Sequence, residues 1–487
     1  MSPVTDWMLL SAPLLLLAAM GVVLMVLSAV MRPMPRTLFW GLACGTVALS
    51  LGLVARSAGE PASDAFAGML RVDAYGHFFA CAVLLGGLFA LLISDGYMDR
   101  IGVRVGEFYS LVLFALCGML GMVYSSDLMM TFIALEVMSI AVYTLCAIKR
   151  ADERAVESAF KYFILGAFSS GILLYGVAMV YGATGTTSLT GIAHFLAASH
   201  GDVPRLLLLG GALLLVGFGF KVASVPFHMW APDVYQGAPT AVTALMATGV
   251  KAASFAAFGR VVIGTFSEDA SHWAGGLWWM AALTMLVGNV GALVQDDLKR
   301  MFAYSSIAHA GYLLMALSSV TTAGDTHPAL GSLAFYMLAY TLMNAGAFAV
   351  LSQMTDEHGA DATHIDRLSG LGKKHPMVAL GLSICLISLA GLPPTMGFVG
   401  KFYLFSAAVG AGQLGLAVVG AVGAAAGVYY YLRPMIYMYM RDGEPELASD
   451  GRARVALAIT TALLLAFGLM PGSVLEWADA SVRSVLG

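Results

Sequence analysis

The chain is a succession of apolar stretches, each closed by a short polar or glycine-rich segment. Stretches of about 20 apolar residues are long enough to cross a hydrocarbon core about 30 Å thick. Backbone groups in lipid must bond within their own segment, so such stretches are helices. The sequence lacks the alternating segments of about ten residues that mark a membrane barrel. The pattern predicts spans at roughly Trp7–Met31, Leu38–Val54, Ala74–Ser94, Phe108–Tyr124, Leu128–Ile148, Ser158–Tyr181 and Arg205–Trp230. It continues with Ala238–Thr265, Gly275–Val294, Met301–Val320, Leu330–Gln353, Met377–Val409, Leu414–Met440 and Val455–Leu469. Short connections predict one all-α membrane domain of about fourteen transmembrane helices.

Composition sharpens this picture. Charged residues are 11% of the 487 and hydrophobic residues 59%, against about 25% charged in a soluble domain. The net charge of −4 and the absence of a basic block argue against nucleic acid as a partner. Cys44, Cys81, Cys117, Cys146 and Cys385 lie apart inside apolar stretches, which argues against disulfides, zinc and iron–sulfur clusters. The first apolar run lacks a basic leader and outlasts a signal-peptide core.

Lysine and arginine accumulate in cytoplasmic loops. With the N-terminus outside, the inner loops hold Arg32, Arg36, Arg100, Arg104, Lys149, Arg150, Arg154, Lys299, Arg300, Arg367, Lys373, Lys374, Arg441, Arg452 and Arg454. The outer segments hold only Arg56, Arg71, Arg205 and Arg483. An even span count returns the C-terminus to the outside. A repeat is also visible: Asp127 matches Asp297, Phe132 matches Phe302 and Ala141 matches Gly311, at an offset of 170. Pro226 and Pro394, with Asp233 and Lys401, match at an offset of 168. Five spans per copy invert the second copy, as in many transporters. The expected organisation is an N-terminal three-helix unit over 1–107, a first repeat over 108–265, an inverted repeat over 275–440 and a C-terminal helix over 441–487.

Glu136, Lys221, Lys251 and Lys401 stand mid-span. Each charge at the bilayer centre costs at least ~2.5–3.5 kcal/mol on insertion scales, so pairing, internal water or neutralisation must offset them. Ion pairs between helices, or snorkelling to an interface, are the plain structural reading. Snorkelling suits Lys161, Arg260 and Arg433, nearer span ends. Three lysines cannot all pair with one glutamate, and burial disfavours the charged form of a surplus amine. A group that can lose its proton is what a relay needs. Lys221 precedes Pro226 by five residues, and Pro393, Pro394, Gly397 and Gly400 precede Lys401. Proline frees a backbone carbonyl, and freed carbonyls at mid-membrane can hold water or cations. Further relay candidates are His228, His309, Lys161 and Tyr304, with Ser305, Ser306 and Tyr312 giving a polar face around His309. Asp233, Asp297 and Lys299 read as solvated charges at inner span ends. Glu136 and Lys221 are expected to pair, and Lys221, Lys251 and Lys401 to form one line across the bundle.

FKYFILGAFSSGILLYG from Phe160, FKVASVPFHMWAPDVYQGAPT from Phe220, QDDLKRMFAYSSIAHAGY from Gln295 and GLPPTMGFVGKF from Gly391 resemble the antiporter-like subunits of respiratory complex I and the related multi-subunit cation/proton antiporters. The resemblance covers nearly the whole chain. It implies fourteen helices in two inverted five-helix repeats, with helices 7 and 12 interrupted. It also implies that Glu136, Lys221, Lys251 and Lys401 match the family's proton-relay residues. Lys401 separates the chain from the paralogue with glutamate there, and length separates it from the one with a lateral helix. The implied activity is proton translocation by a non-redox subunit of a bacterial NADH–quinone oxidoreductase. Both termini would be periplasmic and the inner membrane its place. Partners would be other membrane-arm subunits and the lipid bilayer. NADH, FMN, iron–sulfur clusters and quinone belong to the whole complex, with no cofactor or metal expected in this chain. The rivals are a subunit of a standalone multi-subunit Na+/H+ antiporter and a non-pumping membrane scaffold.

Overall fold

Helices run almost end to end in the computed structural model, which describes residues 11–31, 35–103, 106–199, 203–266, 271–320, 327–356 and 361–486. The expectations for Trp7, Arg32 and Arg104 fall outside these residues. The helices are α1 (Ala12–Val30), α2 (Arg36–Ser57), α3 (Ala74–Arg100), α4 (Glu107–Tyr124), α5 (Leu128–Cys146), α6 (Glu153–Thr184) and α7 (Leu189–Ala198). Next come α8 (Arg205–Lys221), α9 (Trp230–Gly237), α10 (Thr240–Leu245), α11 (Lys251–Phe266), α12 (Ser271–Leu293), α13 (Leu298–Val320) and α14 (His327–Leu351). The last are α15 (Leu371–Lys374), α16 (Pro376–Ala390), α17 (Met396–Gly410), α18 (Leu414–Met440), α19 (Gly451–Leu469) and α20 (Gly472–Leu486).

Among the described residues, eleven helical runs are long and apolar enough to cross a membrane. Two further crossings, 205–237 and 376–410, are each split in two, and α13 completes fourteen. The short helices α7 and α20 have no counterpart among the predicted spans. Val474, Ala478 and Val482 of α20 are buried, and its Trp477 packs on Phe78 of α3. Strand β1 (Ser63–Ala65) pairs antiparallel with β2 (Leu70–Val72), and β3 (Met354–Thr355) with β4 (Glu446–Leu447).

The repeat appears in matching contacts. Asp127 caps α5 through Met129 N and Met130 N and accepts from Thr187 Oγ1 at 2.6 Å. Asp297 bonds Arg300 N at the start of α13 and accepts from Thr363 Oγ1, also at 2.6 Å. The hairpin of α4 and α5 closes where Gly118 faces the Met138 backbone, and that of α12 and α13 where Gly288 faces the Ala308 backbone. A Cβ at either glycine would lie 2.4 Å from a backbone nitrogen, so the close approach depends on both.

Helix α3, the run Thr240–Val262 and the run Pro328–Leu351 form the interior. The ends of the chain are tied together on one side. Arg36 bonds Asp95 and Asp99, each at 2.8 Å, and Arg452 pairs with the same Asp95. Arg260 does not snorkel: it forms a buried ion pair with Asp73, the N-cap of α3, and donates Nε to Val123 O. A guanidinium presents donors in a fork that matches a carboxylate, so burial here is compensated locally. In the loop between α5 and α6, burial works against the Asp152 carboxylate. Bonds from Lys149 and from the Arg154 and Ala155 amides nonetheless hold its pKa below the usual value.

Candidate functional site

Helix α8 ends at Lys221, and residues 222–229 run as an irregular break before α9. Ala223 adopts φ +59°, the left-handed region that side chains disfavour. The carbonyls freed by the break are filled internally: Trp230 Nε1 donates to Phe220 O, and Ser224 Oγ to Gly219 O. Lys221 is buried, and its Nζ donates to Ser139 Oγ at 2.7 Å and Tyr143 OH at 3.1 Å. The expected ion pair with Glu136 is not formed. Glu136 is half-buried and accepts from Ser170 Oγ instead. It lies between the exposed Ile133, Val137 and Ile140 on the outward flank of α5. Ser139, three residues on, is the hydroxyl that meets the lysine.

Lys251 comes directly after a π-helical turn over Met246–Val250. Such turns insert a residue and rotate the remainder of the helix about its axis. Gly86 of α3 makes room for this turn, since a Cβ there would lie 2.8 Å from Thr248 Oγ1. Lys251 is buried and donates Nζ to the carbonyl and hydroxyl of Ser306. Tyr235 OH approaches the same Ser306 Oγ at 3.4 Å.

His309 is buried on the face of α13 that carries Ser306. Its Nε2 bonds Tyr431 OH at 2.9 Å and its Nδ1 bonds Tyr336 OH at 2.7 Å. Tyr431 also bonds Ser305. Lys401, in the second broken crossing, folds back over the break. Its Nζ donates to Leu389 O at 2.8 Å and Ala390 O at 3.0 Å, the last carbonyls of α16. The cation held by this half-helix end is therefore the lysine itself, in keeping with the negative potential of a helix C-terminus. Gly391, at φ +79°, is required twice: for its backbone, and because a Cβ there would lie 2.6 Å from Lys401 Cδ. Tyr312 lies under the Lys401 Nζ at 5.2 Å and accepts from Asn289 Nδ2, whose Oδ1 accepts from Tyr430 OH at 3.1 Å.

The three lysines are linked by contact. From Lys221 the chain runs through Tyr143, Tyr162 and Trp230 to Tyr235, with Tyr162 and Trp230 stacked at 4.4 Å. From Tyr235 it reaches Ser306 and Lys251, then Tyr340, His309, Tyr312 and Lys401.

Other candidates fall outside this chain. His228 sits in the first break, half-buried, and its buried Nδ1 has no hydrogen-bond partner among the described residues. The Tyr304 ring fills the notch over Gly291. Lys161 is exposed and pairs with Glu157 at 2.8 Å and Asp233 at 3.0 Å. Arg433 pairs with Asp296. Lys299 is not a solvated loop charge: it is 3% exposed, and its Nζ donates to Ala238 O. Sequence reasoning missed Ser139 and Tyr143, although they stand three and seven residues after Glu136 on one helical face. No sequence pattern singles out Tyr336 or Tyr431. Among the described residues no group of His, Cys, Asp and Glu has the makings of a metal site.

Residues 125–427 match the family model described as NADH:quinone oxidoreductase/Mrp antiporter, TM. A protein of Trichlorobacter lovleyi named NADH-quinone oxidoreductase subunit N is 45% identical over 425 residues, covering 87% of this chain and 86% of its own. A chain in the structure of respiratory complex I from Thermus thermophilus with bound aureothin is 38% identical, with a TM-score of 0.81 over 96% of this chain and 99% of that one. A chain of the Mrp complex from Dietzia sp. DQ12-45-1b shares the fold, with a TM-score of 0.83 at 22% identity over 98% of this chain and all of that one.

Proposed function

Because the chain belongs to the NADH:quinone oxidoreductase/Mrp antiporter family, and within it to the subunit N branch of NADH–quinone oxidoreductase, it is a membrane-arm subunit of complex I, and we propose that it moves protons along Lys221, Lys251, His309 and Lys401. The observation that carries this reading is the set of buried lysines joined by hydroxyl and aromatic groups, none of them in an ion pair among the described residues. An amine held only by neutral acceptors gives up its proton at far lower cost than one facing a carboxylate. Transfer needs groups within hydrogen-bond reach, directly or through one water. The rings between Lys221 and Tyr235 leave that interval to water along their edges. Glu136 would tune Lys221 through space, with Ser139 between them. The chain itself carries out no redox step in this reading, and energy arrives from other subunits. Its organisation is the three-helix unit over 1–107, repeats over 108–265 and 275–440, and the remainder over 441–487.

The orientation we adopt places both termini in the periplasm of a bacterial inner membrane. It is supported by the concentration of lysine and arginine in the loops opposite the termini, while the loop pairings, Asp127 with Ser188 and Asp297 with His364, fit the order of crossings. Cysteines replacing Glu60 and Arg150 in a cysteine-free variant would then label from opposite sides. The relay is tested with Lys401→Ala and Lys401→Arg in the whole complex, reconstituted in vesicles. Both should lose coupled proton transfer, because arginine keeps its proton. A Lys401→Arg complex pumping at the normal ratio would overturn the reading.

A further inference from the structure

We propose that Lys299, with Asp361 at its mouth, is the uptake site that loads Lys251 from the end of the bundle carrying the lysine- and arginine-rich loops. This rests on the relay reading above. Lys299 is as buried as Lys221 and Lys251, at 3% each. Like them it is held by a neutral acceptor, the Ala238 carbonyl between α9 and α10. A charge that served only solubility would not be carried inside.

Its surroundings connect it in two directions. Toward solvent, the carboxylates whose charges reach it are Asp361, Asp297 and Asp152. The Asp361 side chain is 24% exposed, pairs with Arg100 at 3.6 Å and accepts from Tyr97 OH. The same Tyr97 oxygen accepts from Thr240 N at 2.9 Å, and the buried Thr240 Oγ1 has no partner among the described residues. A buried hydroxyl without a protein partner is where an internal water bonds. Inward, Lys299 and Ser306 lie two turns apart on one face of α13, about 10 Å along the axis. Thr243 Oγ1 flanks that interval, at 3.5 Å from Ala238 O and 3.0 Å from Tyr235 O. Tyr235 OH then meets Ser306, the partner of Lys251. Carbonyls cannot pass a proton themselves but can order the water that does. The Lys299 ammonium gives a proton to this water, the water delivers one to the neutral Lys251 amine, and solvent at Asp361 restores the ammonium. The first repeat has no such site: the position equivalent to Lys299, 170 residues earlier, is Met129.

The rival explanation is a structural cap on the Ala238 carbonyl. The test uses the whole complex in inside-out vesicles, reading redox-driven proton uptake beside quinone reduction. Lys299→Met should slow coupled turnover about fivefold or more, and Lys299→Arg should be as slow, because it caps the carbonyl but keeps its proton. Normal pumping in Lys299→Arg overturns the proposal in favour of the cap. Should these variants not assemble, Thr243→Val decides. It keeps the shape and removes the hydroxyl, and should slow uptake roughly twofold, whereas an unchanged rate overturns the proposal. Lys251→Met is run alongside. Normal pumping there overturns the relay reading itself, while a blocked Lys251→Met beside a normal Lys299→Met overturns only the uptake site.

Discussion

The two halves of the proposed relay use one helical scaffold and different chemistry. Positions 170 residues apart hold Leu135 and Ser305, Glu136 and Ser306, Ser139 and His309, Val142 and Tyr312. The first half has a carboxylate on its outward flank and an aromatic stack, Tyr143, Tyr162 and Trp230, between Lys221 and Tyr235. The second half has a histidine between two tyrosine hydroxyls and an asparagine that joins two further tyrosines. The frame is shared, and the side chains set on it make the second half the denser in exchangeable protons. In the proposed relay, a proton crossing the second half would have side chains to visit, whereas in the first half it would depend on water along ring edges and on the field of Glu136.

This difference makes an unequal prediction. His309→Leu removes the imidazole between Lys251 and Lys401 and should lower coupled turnover about tenfold or more. Trp230→Phe keeps the ring contact and should lower it no more than roughly twofold, although it frees Phe220 O. Equal losses in the two variants, measured as proton uptake by the assembled complex, would break the comparison.

Glu136→Gln comes next. Glu136 does not touch Lys221, so neutralising it strands no partner and should not cost the several kcal/mol of a broken buried pair. A loss of roughly two- to fivefold in pumping-linked quinone reduction is expected, the through-space share of one charge at intermediate dielectric. Full activity in a well-assembled Glu136→Gln complex would remove Glu136 from the relay.

Much of this is legible in sequence wherever a charge interrupts an apolar run. Lys221, Lys251 and Lys401 are visible because no other charged residue stands beside them in the chain, and all three are buried. Lys299 misleads for the opposite reason. It sits beside Asp296, Asp297 and Arg300, a neighbourhood that looks like a loop, while tertiary packing covers it. Arg260 reads as a snorkelling side chain because its partner, Asp73, is 187 residues away. The expectation of a Glu136–Lys221 pair rests on charge alone. Helix rotation, which sets Glu136 on the outward flank, is not readable without knowing which face of α5 meets α8. The paired breaks are legible from proline, but not that Lys401 itself occupies the freed carbonyls.

The smallest effect, and the finest test of the comparison, lies in the two clasps. Asp127 and Asp297 make matching contacts in the two repeats, each bonding a backbone N–H at a helix start and each holding a threonine hydroxyl at 2.6 Å. As caps they should be worth the same, so Asp127→Ala and Asp297→Ala should each cost about 1 kcal/mol of stability, with asparagine restoring most of it. Thermal unfolding of the solubilised complex reads this. As charges they should differ. Asp297 lies two residues from Lys299 and its charge reaches that amine, whereas the residue two after Asp127 is Met129. Asp127→Asn should therefore leave proton uptake unchanged, and Asp297→Asn should slow it roughly twofold, the effect of one partly screened charge on a nearby amine. If the two asparagine variants pump alike, the clasps are equivalent in function as well as in geometry, and the second repeat has no uptake chemistry of its own at that end.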